Sequence, residues 1–534
     1  MRGFVAGMCL GMFGLAAGWS QQGVDNGQKC RDLAKAALPH TAVLRAEVTE
    51  AGKLASPLDD KDPIYGQLPA FCRVVAEAHP SADSQIKIEV WLPLTGWNGK
   101  FLGQGNGGFA GNIYYRELAK AVHLGYATAG TDTGHTGSAI DAGWALGHPE
   151  KVADFGFRGV HEMSLTGQAL TRAFYGSAAG RRYFASCSDG GREALMEAQR
   201  FPADYDGILA GAPAYHWTWL VTGGLPAVQA LGREPASAIS AAKLPAISAA
   251  VLAQCNAGKT TAFLDDPRTC HFDVNSLLCK GAETNECLTA AQAATLKLLY
   301  AGARTSDGRV INPGQMPGAE LGGNGWEAWI TGNEKEKSLG LAFLYGYLAN
   351  MIYGKTDVDV QKLKLDAVLK AAEEKTGGLL DAVNPDLSAF SARGGKLILY
   401  HGWNDPAIPA LGTVDYFNSV VAKAGAKKAS EFTRLFMVPG LQHCGGGPGA
   451  TAFGQDGPSD NPAASDPDHN IYAALENWVE KGVAPETVIA VHPSDGAAAN
   501  PSFSRPICAY PKAARYTGSG DPDKASSYAC SAAQ

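Results

Sequence analysis

Residues 183–200 read Tyr-Phe-Ala-Ser-Cys-Ser-Asp-Gly-Gly-Arg-Glu-Ala-Leu-Met-Glu-Ala-Gln-Arg. Tyr183-Phe184-Ala185 is a short apolar run, Ser186 to Gly191 are small turn residues, and Arg192 to Arg200 are helix formers. The stretch therefore predicts strand, sharp turn and helix, with Ser188 at the apex. It approximates the G-x-S-x-G elbow, which needs small residues beside the serine because the turn is strained and the helix packs close. Ser186 stands where the first glycine is usual. In such a turn the Asp189 N–H and the helix N-terminus face any oxyanion that forms at Ser188. A plain loop also accounts for a serine in a Gly-Gly turn, so the motif needs partners elsewhere in the chain.

Other apolar runs flank it. Residues 86–94 alternate apolar and polar, as a half-buried strand does. Lys100-Phe101-Leu102 leads into a Gly-rich loop at Gly103 to Gly108, and 126–129, 205–211, 396–400 and 433–438 read as buried strands. Ile471, Leu475, Trp478 and Val479 share one helical face. Buried strands alternating with helical stretches imply an α/β fold with a mostly parallel sheet. The alternation breaks between 215 and 385, a stretch with four cysteines and many aromatics. We expect an α/β-hydrolase core in two pieces, 21–214 and 386–534, with an inserted lid domain at 215–385.

An elbow serine needs a base and an acid, and in this fold they follow it in the order acid, then histidine. The strand 396–400 runs into His401-Gly402-Trp403-Asn404-Asp405-Pro406, and the strand 433–438 runs into Gln442-His443-Cys444-Gly445-Gly446-Gly447. Asp405 and His443 thus follow strand ends in the right order. Either alone reads as a turn or structural residue; the ordered set does not.

Composition narrows the class. The chain has 534 residues, 46% hydrophobic and 18% charged, with a net charge of -7. It has no basic cluster for nucleic acid. Met1-Arg2, an apolar stretch and small residues near Gly18 form a secretory leader over 1–20, too short for a bilayer span. No other stretch is read as spanning a membrane. Of eleven cysteines, Cys9 would leave with the leader, and ten remain. An even number in an exported chain favours disulfides over metal ligands, and no CxxC pair exists. Proximity suggests Cys30–Cys72, Cys255–Cys270, Cys279–Cys287 and Cys508–Cys530, which leaves Cys187 for Cys444, although sequence alone does not fix the pairing. Those two flank Ser188 and His443. A Ser188–His443 hydrogen bond would bring their Cα atoms within disulfide reach.

The Cys-Ser-x-Gly-Gly elbow, the Gly-Trp-Asn-Asp-Pro loop at 402–406 and the His-Cys-Gly-Gly-Gly loop at 443–447 resemble the tannase and feruloyl esterase family, which includes mono(2-hydroxyethyl) terephthalate hydrolases. Supporting stretches are Gly105 to Gly111, Gln199-Arg200-Phe201-Pro202 with Tyr205-Asp206-Gly207, Gly211-Ala212-Pro213, and Arg515-Tyr516 with Gly518 to Asp521. The likeness runs from about residue 28 to 532. It implies a Ser188–His443–Asp405 triad, the same five disulfides, an oxyanion hole from the Asp189 and Gly108 N–H groups, and a lid that holds an aromatic acid. Trp326, Trp329, Phe343 and Tyr345 are the candidates for that pocket, with lid core as the competing role for each.

The likeness also implies a secreted or periplasmic serine esterase acting on a small aromatic ester. Feruloyl esters come first, with galloyl and terephthalate half-esters as alternatives. No Arg lies in 310–390 to hold a free carboxylate, and Lys337 is a weak substitute. The family's lid calcium loop is degenerate here, since Asn256 and Lys259 stand where aspartates are usual, so no metal or other cofactor is expected. Asp132 and His135 read as a strand-end turn rather than a metal pair. Two other classes remain: a non-catalytic binding protein on this scaffold, and a redox enzyme using Cys187.

Overall fold

Short apolar runs bounded by Gly and Pro turns pair into a nine-stranded sheet. The structure, a computed structural model, describes residues 26–58, 61–256, 261–333, 335–459, 465–492 and 503–532; the expected leader lies outside them. The strands are β1 (Thr41–Thr49), β2 (Phe71–Ala78), β3 (Ile86–Pro93), β4 (Lys100–Gln104), β5 (Ala127–Thr131), β6 (Arg181–Cys187), β7 (Gly207–Gly211), β8 (Lys396–Gly402) and β9 (Thr433–Val438). Their order is β1-β2-β3-β5-β4-β6-β7-β8-β9. The first four neighbours pair antiparallel and those from β5 to β9 pair parallel.

Both faces of the sheet are covered, as a parallel sheet requires. Alternate residues divide between two cores. Phe101, Phe184, Ile208, Leu397 and Leu399 join one, while Leu102, Tyr183, Leu209, Ile398 and Tyr400 join the other. Helices α1 (Gly159–Tyr175), α2 (Asp189–Arg200) and α3 (Ala410–Ala424) cover the first face, and α4 (Ile471–Lys481) covers the second with Ile471, Leu475 and Trp478. This covering corrects the half-buried reading of 86–94. Only Lys87 of β3 is exposed, Trp91 is buried in a third cluster, and Glu89 is buried in an ion pair with Arg73 at 2.6 Å.

Between β7 and β8 the chain leaves the sheet for a mostly helical segment. Its helices include Trp217–Gly223, Leu225–Gly232, Leu244–Cys255, Ala290–Ala301 and Leu339–Gly346. Part of it has its own core of Leu244, Ile247, Leu296 and Trp326; another part packs Trp217, Leu344 and Tyr347 on Phe109 and Phe155. Within it, Pro235–Cys255 reaches the length and apolarity of a membrane span, contrary to the sequence reading. Its Leu244, Ile247 and Val251 are buried in protein, as in a core helix.

All five expected disulfides are present, with Cα–Cα distances of 5.0–5.9 Å. Ser188 follows β6, Asp405 follows β8 and His443 follows β9, while the Gly108 loop follows β4. All four loops therefore leave the carboxyl ends of parallel strands, where open α/β sheets place their ligands.

Candidate active site

Ser188 has φ 67° and ψ -125°, a backbone conformation that few non-glycine residues adopt. The surrounding glycines make it possible. A Cβ on Gly190 would lie 1.9 Å from Ser186 Oγ, and one on Gly191 would lie 2.4 Å from the Gly211 carbonyl oxygen. Ser186 fits in place of the elbow's first glycine because Gly105 and Gly190 leave room on both sides of its side chain.

The elbow presents Ser188 to His443. His443 Nδ1 lies 2.9 Å from Asp405 Oδ2 and Nε2 lies 2.9 Å from Ser188 Oγ. The carboxylate accepts from Nδ1–H, so Nε2 is the acceptor for the Ser188 hydroxyl. Asp405 is buried, and its other oxygen accepts from the Ala407 and Ile408 N–H groups at 2.8 and 3.0 Å. Burial pushes the Asp405 carboxyl up. The His443 charge, with hydrogen bonds from His401 and His443, outweighs burial and holds it well below the usual carboxylate range.

Gly108 and Asp189 line the same cleft as Ser188 and His443. Among the described residues, neither backbone N–H is taken by a protein acceptor. Gly108 has φ 60°, and a Cβ there would meet the Ala139 carbonyl oxygen at 2.2 Å, so only glycine fits this turn. The Asp189 carboxylate points elsewhere, into a buried ion pair with Arg192 at 2.5 Å. Cys187 and Cys444 are bonded with their Cα atoms 5.9 Å apart, tying the elbow to the base loop.

A hydroxyl, an imidazole and a carboxylate joined in this order, beside two open N–H groups, can carry acyl transfer. A sequence model described as tannase and feruloyl esterase matches residues 72–531. The chain belongs to the tannase and feruloyl esterase family. An uncharacterized esterase of Xanthomonas campestris pv. campestris is 42% identical over 528 residues, covering 94% of this chain and 91% of its own. A protein of Aspergillus clavatus named "Probable feruloyl esterase B" is 32% identical, covering 86% of each chain. The crystal structure of feruloyl esterase B from Aspergillus oryzae superposes with a TM-score of 0.86 at 28% identity, covering 95% of this chain and 100% of that one. The chain is accordingly a carboxylic ester hydrolase with an α/β-hydrolase sheet.

In this family member the four expected pocket aromatics separate. Trp329 and Phe343 line the cleft, with their rings stacked at 6.0 Å, and Trp329 meets the His443 ring edge-on at 5.0 Å. Trp326 and Tyr345 do not line it. Trp326 is fully buried against Tyr300 in the core of the inserted segment, and Tyr345 is 38% exposed with its hydroxyl donating to the Thr356 carbonyl. Three residues apart on an α-helix the two would share a face, but Glu327–Thr331 is wound as a π-helix with wider turns, and Trp326 and Trp329 point apart. Lys337 does not line the cleft either. Its remaining wall is mostly aliphatic, with Leu220, Val221, Val228, Leu231 and Leu298 beside the polar Asn312, Gln315 and Ser338, and among the described residues its only charged or titratable linings are Asp189 and His443.

In the stretch read as a degenerate calcium loop, two of the polar side chains are engaged by protein groups. Both Asp266 oxygens bind the Arg268 guanidinium, at 2.8 and 2.7 Å, and Asn256 Nδ2 donates to the Thr261 carbonyl at 2.7 Å. Arg268 in turn lies over the Trp403 ring at 5.0 Å. Residues 257–260 of that loop lie outside the described ones. Asp132 and His135 form a turn. Asp132 Oδ1 accepts from the Lys87 and Gly134 N–H groups, and His135 Nε2–H donates to the Phe109 carbonyl at 2.7 Å, propping the loop that carries Gly108.

Sequence reasoning missed three residues around the triad. His401 is buried at the end of β8 with Nε2 3.1 Å from Asp405 Oδ2, and the Thr413 hydroxyl donates to its Nδ1 at 2.7 Å. A histidine inside an apolar strand four residues before the acid was the available signal. Asn324 reaches across from the inserted segment, donating to the His443 carbonyl and accepting from Trp329 Nε1, both at 2.8 Å. Nothing in its local sequence marks that role.

Glu193, buried on α2, accepts from the Asn106 N–H at 2.8 Å and so holds the Gly-rich loop. Burial and then the neighbouring Asp189 charge push its carboxyl up to about 8. A carboxyl raised on folding stabilises the fold below its unfolded value of about 4.3, and that contribution is lost as pH rises through about 8. Thermal melts of the wild type are therefore expected to fall from pH 7 to pH 9, and those of Glu193→Gln to change much less. Equal slopes in the two proteins would show that Glu193 is already ionised at pH 7.

Proposed function

We propose that this enzyme is a secreted serine esterase that cleaves phenolic aromatic acid esters, feruloyl-type esters first, through an acyl-enzyme on Ser188. The hydrogen-bonded line Ser188–His443–Asp405 at the foot of an apolar, aromatic-lined cleft carries this reading. His443 takes the Ser188 proton as Oγ attacks the ester carbonyl. The Asp189 and Gly108 N–H groups receive the oxyanion, and Asp405 holds the imidazole tautomer and stabilises the imidazolium. His443 then gives its proton to the departing alcohol, and a water activated by the same imidazole releases the acid. No step needs a metal or cofactor. The inserted segment 215–385 acts as the lid, supplying Trp329 and Phe343 to sandwich the aromatic acid.

The substrate class follows from what the cleft offers. With no Lys or Arg along its wall among the described residues, a free carboxylate on the substrate would be desolvated without a partner, at a cost of several kcal/mol. That sets a terephthalate half-ester behind a neutral ester. Gln315 lines the cleft, donates through Nε2 to the Pro406 carbonyl at 3.1 Å, and keeps Oε1 buried with no donor among the described residues. A single phenolic hydroxyl suits that acceptor, whereas a galloyl ring brings three hydroxyls to a mostly aliphatic wall.

The expected ranking of kcat/KM is methyl ferulate or methyl p-coumarate above methyl gallate, and both above the terephthalate half-ester by 10-fold or more. Hydrolysis of the half-ester at the rate of methyl ferulate would overturn the assignment. Equal inactivity on all of them would favour a binding protein. Export accounts for five disulfides together with the leader-like sequence at 1–20.

A further inference from the structure

Away from Ser188, at the far end of α2, three metal-ligating side chains from separate elements converge. His161 lies on α1, Glu197 on the last turns of α2, and Asp204 in the loop before β7. One ligand atom from each lies within 4.8 Å of the other two. His161 Nδ1 is 2.8 Å from Asp204 Oδ2, and the imidazole is stacked on Phe201 at 3.6 Å and 9°, which fixes its plane. Glu197 is only 1% exposed, and both of its oxygens are buried without a hydrogen-bond donor among the described residues.

We propose that His161, Glu197 and Asp204 form a binding site for one divalent transition-metal ion of the zinc class. Two buried carboxylates in contact require either a proton or a cation between them. No Lys or Arg donates to Glu197 among the described residues. A cation taken from solvent supplies that charge in place of the proton. One imidazole nitrogen and two carboxylates suit zinc or manganese, whereas calcium needs six to eight oxygens. His161 keeps 22% of its side chain exposed, which gives the ion an entrance and leaves room for water as a further ligand. Tetrahedral arms of about 2 Å place ligands about 3.3 Å apart. The present spread closes to that distance by side-chain rotation once the ion replaces the proton.

The test is calorimetric titration of the full chain, stripped with chelator, with zinc chloride at pH 7, alongside thermal melts. The expected result is one zinc per chain and a raised Tm. Glu197→Gln keeps the shape of the protonated acid. It should fold and hydrolyse esters as the wild type does, yet lose the zinc-induced Tm shift and weaken binding at least 10-fold; His161→Ala should weaken binding similarly. Absence of zinc binding in the wild type overturns the proposal and leaves Glu197 and Asp204 sharing a proton only. Equal binding by wild type and both variants overturns it too, placing the zinc on other histidines. Neither readout depends on the esterase reaction.

Discussion

Alanine at Ser188 or at His443 is expected to lower kcat by about 10⁶, and alanine at both to lower it no further. In the proposed mechanism the two side chains act as one unit. Ser188 Oγ is a poor nucleophile until Nε2, 2.9 Å away, takes its proton, and the imidazole has nothing to activate without the hydroxyl. Serine hydrolases that depend on such a pair lose about that factor for either member, and the effects do not add. Asp405→Asn is expected to cost less, about 10⁴, because it removes the tautomer control and leaves the nucleophile and base in place. The residual rate in each variant comes from the Asp189 and Gly108 N–H groups and from binding in the cleft. Single-turnover rates on methyl ferulate check this. A double variant 10³-fold or more below the singles would mean that the residues work independently, and the relay would be wrong.

The second large effect belongs to the Cys187–Cys444 bond. It spans 257 residues, so in the chain-entropy account its loss costs the fold about 5 kcal/mol, at the upper end for a single bridge. The Cys508–Cys530 bond spans 22 residues and is worth about 3 kcal/mol by the same account. Location separates them further. Cys444 has φ 62° and directly follows His443, and its partner directly precedes Ser188. Replacing both Cys187 and Cys444 by serine should therefore lower Tm and also lower kcat by 10-fold or more, with KM little changed. Replacing Cys508 and Cys530 should lower Tm alone. Denaturation curves and steady-state kinetics on the two double variants distinguish these outcomes. A Cys187→Ser, Cys444→Ser protein with wild-type kcat would show that the base loop holds its place without the bridge.

Much of this architecture is legible in the sequence because its signals are local. Buried strands announce themselves as apolar runs, and the elbow as a cluster of small residues whose lost side chains the structure explains at Gly190 and Gly191. The triad order follows from strand order. What the sequence does not carry is direction. Trp326 and Trp329 are near neighbours, yet one is sealed in the core of the inserted segment and the other faces the imidazole. The alternation at 86–94 suggests a wet face that the neighbouring helix covers. Asn324 acts through a contact 119 residues away that has no periodic or compositional signature, and the contact of His401 is marked only by a polar residue inside an apolar strand, four residues before the acid.

The nucleophile itself is open to one direct measurement. A fluorophosphonate probe reacts covalently with an activated serine, and peptide mapping by mass spectrometry locates the adduct. The account predicts one adduct on the peptide containing Ser188, formed by the wild type, slowed by orders of magnitude in His443→Ala and absent in Ser188→Ala. An enzyme that hydrolyses methyl ferulate while carrying the adduct on another residue, or one whose Ser188→Ala variant labels as strongly as the wild type, would contradict it.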